Sequence, residues 1–193
     1  MWRSSGGSAA SATSPSAYAA EASGDPAAAT VGYDIVSRID PAYTQAAFGL
    51  ARARLAMDDR PGAIEAYGRI PDSSSANEAA RIAQVAALLD GSSGGADMPD
   101  VRRAATIVDG LGLEGEQRYR LTAAVLEAAF DALHPNGTSP DPSTLVLGHP
   151  CTDRGLRLGL EQTYRAVARH AGTAAERIAL VDRANLTRPR SWW

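Results

Sequence analysis

The chain has 193 residues, 45% of them hydrophobic, and a formal net charge of −3. That length suffices for one domain with a real core or two small ones, and so mild a charge gives no electrostatic draw to nucleic acid or to a membrane surface. All 19 basic residues are arginine, which excludes a Schiff-base lysine, a phosphate-loop lysine and the kinase lysine that holds ATP phosphates.

Residues 1–32 are mostly Ala, Ser, Gly and Pro, with no apolar stretch of the kind a signal peptide needs. They offer little to offset the entropy of ordering, which predicts a disordered tail over 1–32 and a folded domain over 33–193. In "RIDPAYTQAAFGLARARLAMDD", Asp40 as N-cap and Pro41 at the first helical position predict a helix start. "RPGAIEAYGRIP" follows, with Ala63, Ile64, Tyr67 and Ile70 on one helical face and Pro71 as its stop. "SANEAARIAQVAALLDG" reads as a helix opened by a capping box, Ser75 with Glu78.

A linker near 91–98 precedes a short helix in "DVRRAATIVDGLG" and a long one in "EGEQRYRLTAAVLEAAFDALHPNG", the latter with Leu121, Val125, Leu126 and Phe130 inward. A second linker near 135–150 contains a short extended piece at "TLVL". Two more helices follow in "CTDRGLRLGLEQTYRAVARHAG" and "TAAERIALVDRANLTRPRSWW", the second opened by Thr173 with Glu176. Period-two alternation is nearly absent, so the fold class is all-α, built of helical hairpins.

Several motifs imitate chemistry. Gly110, Gly112 and Gly115 have the spacing of a dinucleotide-binding loop, but no second strand or acidic strand end follows, so they read as a turn between helices. His149 and Cys151 lie beside Thr152-Asp153, and a thiolate at a helix N-terminus would have a lowered pKa. The same residues also make an ordinary helix entry, with Thr152 as N-cap and Asp153 on the positive end of the dipole. A small thiol-dependent enzyme using Cys151 and His149 therefore stands as the alternative reading. His134 and His170 end helices and have no metal-site spacing. Arg154, Arg157, Arg165 and Arg169 share a solvated helix side opposite Leu156, Leu160, Tyr164 and Val167, and Trp192 and Trp193 close the chain. One cysteine makes no internal disulfide, which points to a reducing cytoplasm, and no apolar run approaches the ~18 residues of a membrane span.

"LARARLAMDDRPGAIEAYGRIP" has tetratricopeptide spacing: Leu50-Ala51 in one helix, Ala63 twelve residues after Ala51, and Tyr67 four beyond that. Asp58 occupies the turn position where glycine is usual. The phrases "AAFGLARARLA", "RGLRLGLE" and "LVDRANLTRPR" then resemble, over roughly residues 33–193, the C-terminal tetratricopeptide domain of PknG-type bacterial serine/threonine protein kinases. The resemblance implies a domain that supports dimerisation and protein contacts in a kinase acting on a forkhead-associated regulator of central carbon and glutamate metabolism. The sequence has no glycine-rich ATP loop, no "HRD", no "DFG" and no CxxC pair, so no catalytic or metal residue of that family is carried over. The expectation is a non-catalytic module, the C-terminal domain alone, that binds a protein partner or a second copy of itself. It calls for no cofactor, metal, nucleic acid, membrane or small-molecule substrate.

Overall fold

A computed structural model of the chain describes residues 16–91, 95–133 and 143–189. It consists of helices and one very short β-hairpin, as the absence of alternation predicts. The chain divides between Ala87 and Leu88 into two compact units, where the sequence pattern anticipated one domain from residue 33. The length allows two small cores as readily as one.

The first unit contains α1 (residues 16–22), α2 (Pro26–Ile39), α3 (Thr44–Ala56), α4 (Arg60–Gly68) and most of α5 (Asn77–Leu89). Helix thus occupies much of the segment expected as a tail; residues 1–15 lie outside the described residues. The reason lies in small residues and in polar fasteners rather than in large apolar groups. A Cβ on Gly32 would lie 2.7 Å from the Ala17 Cβ, so α1 and α2 meet where side chains are smallest. Glu21 then accepts from the Tyr33 hydroxyl and, at 2.8 Å, from Arg52 Nε. Asp25 caps α2 through the Ala28 amide, with Pro26 in its first turn.

Asp40 does not begin α3. It is the C-cap residue of α2, and its carboxylate accepts from the Ala42 amide in a turn that delays α3 to Thr44. Pro41 disfavours a helical residue before it, so the same dipeptide that resembles a start signal stops the preceding helix. Asp59 caps α4 as a Pro-containing start should, and Asp58 takes φ 60°, the left-handed conformation that usually calls for glycine. Leu50, Ala51 and Ala63 are fully buried, and Tyr67 meets Phe48 edge-on at 5.9 Å. Ile70 packs with Ala47, Ala80 and Phe48. α5 starts at Asn77 rather than after Ser75, because Ser74 accepts from the Ala76 amide and Asn77 Nδ2 reaches back to Asp72.

The second unit contains α6 (Met98–Gly110), α7 (Gly115–Ala132), β1 (Leu145–Val146), β2 (His149–Pro150), α8 (Asp153–His170) and α9 (Ala174–Thr187). Asp97 caps α6 through the Asp100 amide. α8 packs against both α7 and α9 and turns Leu156, Leu160, Tyr164 and Val167 inward, the face its periodicity predicts. The expected linker to residue 150 therefore holds an antiparallel hairpin, Leu145 opposite Pro150 and Val146 opposite His149. Its two turn residues, Leu147 and Gly148, both have positive φ, at 49° and 80°, as a tight two-residue hairpin turn requires.

Candidate functional site

His149 and Cys151 sit where this hairpin runs into α8. Thr152 caps the helix by accepting from the Gly155 amide at 3.0 Å, which is the role its sequence position predicts. Two glycines of "RGLRLGLE" then let α8 press onto the hairpin. A Cβ on Gly155 would stand 2.4 Å from the Pro150 carbonyl oxygen, and one on Gly159 would stand 2.7 Å from the His149 ring. His149 is thereby half-buried as a packing element, and burial lowers its imidazole pKa. Cys151 is 1% exposed, and its amide donates to the Thr144 carbonyl at 2.8 Å. Burial raises the thiol pKa against a weaker opposing pull from Arg102. A nucleophilic thiol calls for the opposite environment, a lowered pKa and access to solvent.

The Gly110–Gly115 stretch joins α6 to α7, and the residues before it, Ala105–Val108, are helical rather than a strand. Gly115 takes φ +63°, while Cβ atoms at Gly110 and Gly112 would meet open space. Arg118 fastens the turn by donating to the Val108 carbonyl and, at 2.7 Å, to Asp109. His170 is the last residue of α8, with its ring 5.9 Å from that of Tyr119. His134, Trp192 and Trp193 lie outside the described residues. Among the described residues no three His, Cys, Asp or Glu side chains are grouped as metal ligands.

The arginine side of α8 is more than a solvated face. Arg157 pairs with Asp153 at 3.1 Å and also lies 4.6 Å over the Phe130 ring of α7. Arg165 pairs with Glu161 and donates to Asn185 of α9 at 2.9 Å. The i,i+4 spacing shows the intrahelical halves of these contacts, but not the neighbours that only tertiary packing supplies.

In the first unit α2 carries a cluster of arginine ion pairs. Asp34 of α2 receives Arg69 at 2.7 Å and Arg38 at 3.0 Å, with Arg54 at 3.9 Å. Burial raises the Asp34 pKa, yet Arg69 and Arg38 outweigh it and hold the carboxyl below its ordinary range. Glu65 is held low chiefly by its hydrogen bond from Arg69. On the outer side of α2, Val31, Ile35 and Ile39 are 62%, 42% and 49% exposed at i, i+4 and i+8. These three form an apolar stripe along one side of the helix. It went unread in the sequence because Val31 fell in the expected tail; the Asp25-Pro26 start and the four-residue spacing were its signal.

Comparison with known proteins agrees with this architecture. The model of the family described as "Protein kinase G tetratricopeptide repeat" matches residues 10–191. The chain is 37% identical over 160 residues to the serine/threonine-protein kinase PknG of Mycolicibacterium smegmatis, and to the same degree to that of Mycobacterium leprae. These alignments take in 82% of this chain and 21% of each relative, so the chain spans about a fifth of the length of the curated relatives it matches. The short helical hairpins, the Ala51–Ala63–Tyr67 spacing and the glycine-seated entry to α8 thus belong to a chain that is a member of the protein kinase G tetratricopeptide repeat family.

Proposed function

We propose that this chain acts as a non-catalytic protein-contact module of a PknG-type serine/threonine kinase, docking on a protein partner or on a second copy of itself. The observation that carries the reading is the match of residues 10–191 to a tetratricopeptide family whose named relatives are kinases, the alignment taking in 21% of their length. Stacked helical hairpins work by shape: they offer grooves and outer faces rather than reactive groups. The absence of lysine and the high pKa of the buried thiol favour the same conclusion. Phosphotransfer, and action on a regulator of central carbon and glutamate metabolism, then belong to the larger kinase. The reading places the module in the cytoplasm and requires no cofactor, metal or small-molecule substrate. No described helix is long and apolar enough to cross a membrane.

The test combines the purified chain with Mg-ATP and casein, and separately passes the remaining segment of the M. smegmatis kinase over the immobilised chain. The expected outcome is no transfer of phosphate together with retention of the kinase segment. Phosphorylated casein, or a kinase segment that flows through unretained, would overturn the proposal.

A further inference from the structure

We infer that the segment following α9, Arg190–Trp193, docks back on its own unit, with the Trp192 indole in a cavity beside α7. The cavity has a volume of about 350 Å³ and lies within the second unit. Leu89, Ala124, Ala128 and Ala132 line it, glycine and alanine complete the wall, and Glu127 and Asp131 add two carboxylates. Cavities of ~300–1,000 Å³ are the size that takes a small ligand, and walls of such small side chains leave the filling to a large flat group. An indole is such a group, with one N–H to give to a carboxylate.

The order of the helices brings the segment to this place. Arg120 of α7 bonds Glu176 of α9, an offset of 56 residues. The same offset joins Glu127 to Arg183, so the two helices run in the same direction. Carried one turn further, it sets Thr187, the last residue of α9, level with Asp131 in the cavity wall. Arg188 leaves the helix with an extended ψ of 134°, and Pro189 keeps the helix from continuing. The five residues from Arg188 to Trp192 reach up to about 17 Å, whereas Ala124 lies about 10 Å from Asp131 along α7. In an extended segment residues two apart share a side, so Arg190 meets Asp131 as Trp192 enters the cavity. α9 gains most from this contact. Among its described residues Ala184 alone is buried, and the indole supplies the apolar anchor that the helix lacks.

Tryptophan fluorescence of the 193-residue chain tests the inference. With Trp2→Phe and Trp193→Phe in place, Trp192 is the only tryptophan. Its emission should lie to the blue of the same chain in urea, be shielded from acrylamide, and not depend on protein concentration. Ala128→Phe fills the cavity and should remove the shift and the shielding, with helicity unchanged by circular dichroism. Asp131→Arg alone and Arg190→Asp alone should each lower the docking equilibrium constant by about two- to fivefold, and the two combined should restore it. This rescue reads out the contact even if Ala128→Phe disturbs folding. Emission already at its urea value overturns the inference, as does shielding that survives Ala128→Phe in a folded chain or a double variant no better than the singles. Shielding that fades on dilution also overturns it, because the indole then sits on a second copy. None of these outcomes bears on phosphate transfer or on retention of the kinase segment, so the two proposals fail separately.

Discussion

The hairpins α3–α4 and α8–α9 look alike in sequence, as paired helices with alanines, arginines and a capped second member. In α3–α4 both helices are sunk into the first unit, with Ala46, Leu50, Ala51, Ala63 and Ala66 fully buried. In α8–α9 only the first helix is. Among the described residues of α9, Ala184 alone is buried, and Ile178 and Leu186 are 62% and 78% exposed. α9 is held by polar latches instead. Arg183 reaches Glu127 at 2.7 Å and lies 4.9 Å over the Tyr164 ring, Arg120 bonds both Glu116 and Glu176, and Arg165 holds Asn185. One hairpin is therefore stabilised by close approach of small residues and the other by arginines that bridge helices. These respond differently to mutation, salt and pH.

The widest separation should come from truncating leucines. Leu50→Ala, at a fully buried site, should cost about 2–5 kcal/mol in urea denaturation, and Leu186→Ala should stay within about 0.5 kcal/mol of wild type. Equal losses would break the comparison.

Close approach is probed next by adding a single methyl group. Gly49→Ala would place a Cβ 2.6 Å from the Tyr33 ring, and Gly155→Ala one 2.4 Å from the Pro150 carbonyl oxygen. Each should lower stability by about 1–3 kcal/mol, and a neutral Gly155→Ala would show that the hairpin is not seated on α8 as described.

The latches should be weaker and salt-sensitive. Arg183→Ala loses an ion pair and a ring contact at a partly exposed site and should cost about 1 kcal/mol at low salt. Molar salt should shrink the ion-pair part of that difference, whereas the Leu50→Ala difference should persist. A loss independent of salt would assign α9 to packing after all.

Acid should act on the first unit through Glu21, Asp34 and Glu65. Arg52 holds Glu21 below its ordinary range, as Arg69 does the other two against the burial of Asp34. A carboxylate lowered in the folded state contributes stability above its unfolded pKa of about 4 and loses that contribution as pH falls through the folded value. Stability should therefore decline below about pH 4.5, and Asp34→Asn should flatten the decline. An unchanged slope in that variant would remove Asp34 from the account. Smallest in its effect on the fold, alkylation of Cys151 should be slow in the native chain and accelerate with urea, since the thiol is buried and its pKa raised.

Much of this was legible in the residues. The caps Thr152 and Thr173 form where side-chain chemistry places them, and Val125, Leu126, Leu156 and Leu160 point inward as helical periodicity requires. Local signals are readable because a cap or a face depends on residues within two turns. The readings at Asp40, at Ser75 and over residues 16–32 differ from the structure for one shared reason. Each depended on contacts from a neighbouring element: the end of α2, the link from Asn77 to Asp72, and the seat of Ala17 on Gly32.

By itself the sequence determined the helical class, the positions of most helices, the family and the exclusion of lysine-dependent chemistry, all consequences of residue type and short-range spacing. Tertiary structure alone decided that His149 and Cys151 pack at the entry to α8, that Arg157, Arg165 and Arg183 bridge helices, and that Val31, Ile35 and Ile39 are exposed. Burial, and with it pKa and exposure, is set by atoms that arrive from elsewhere in the chain.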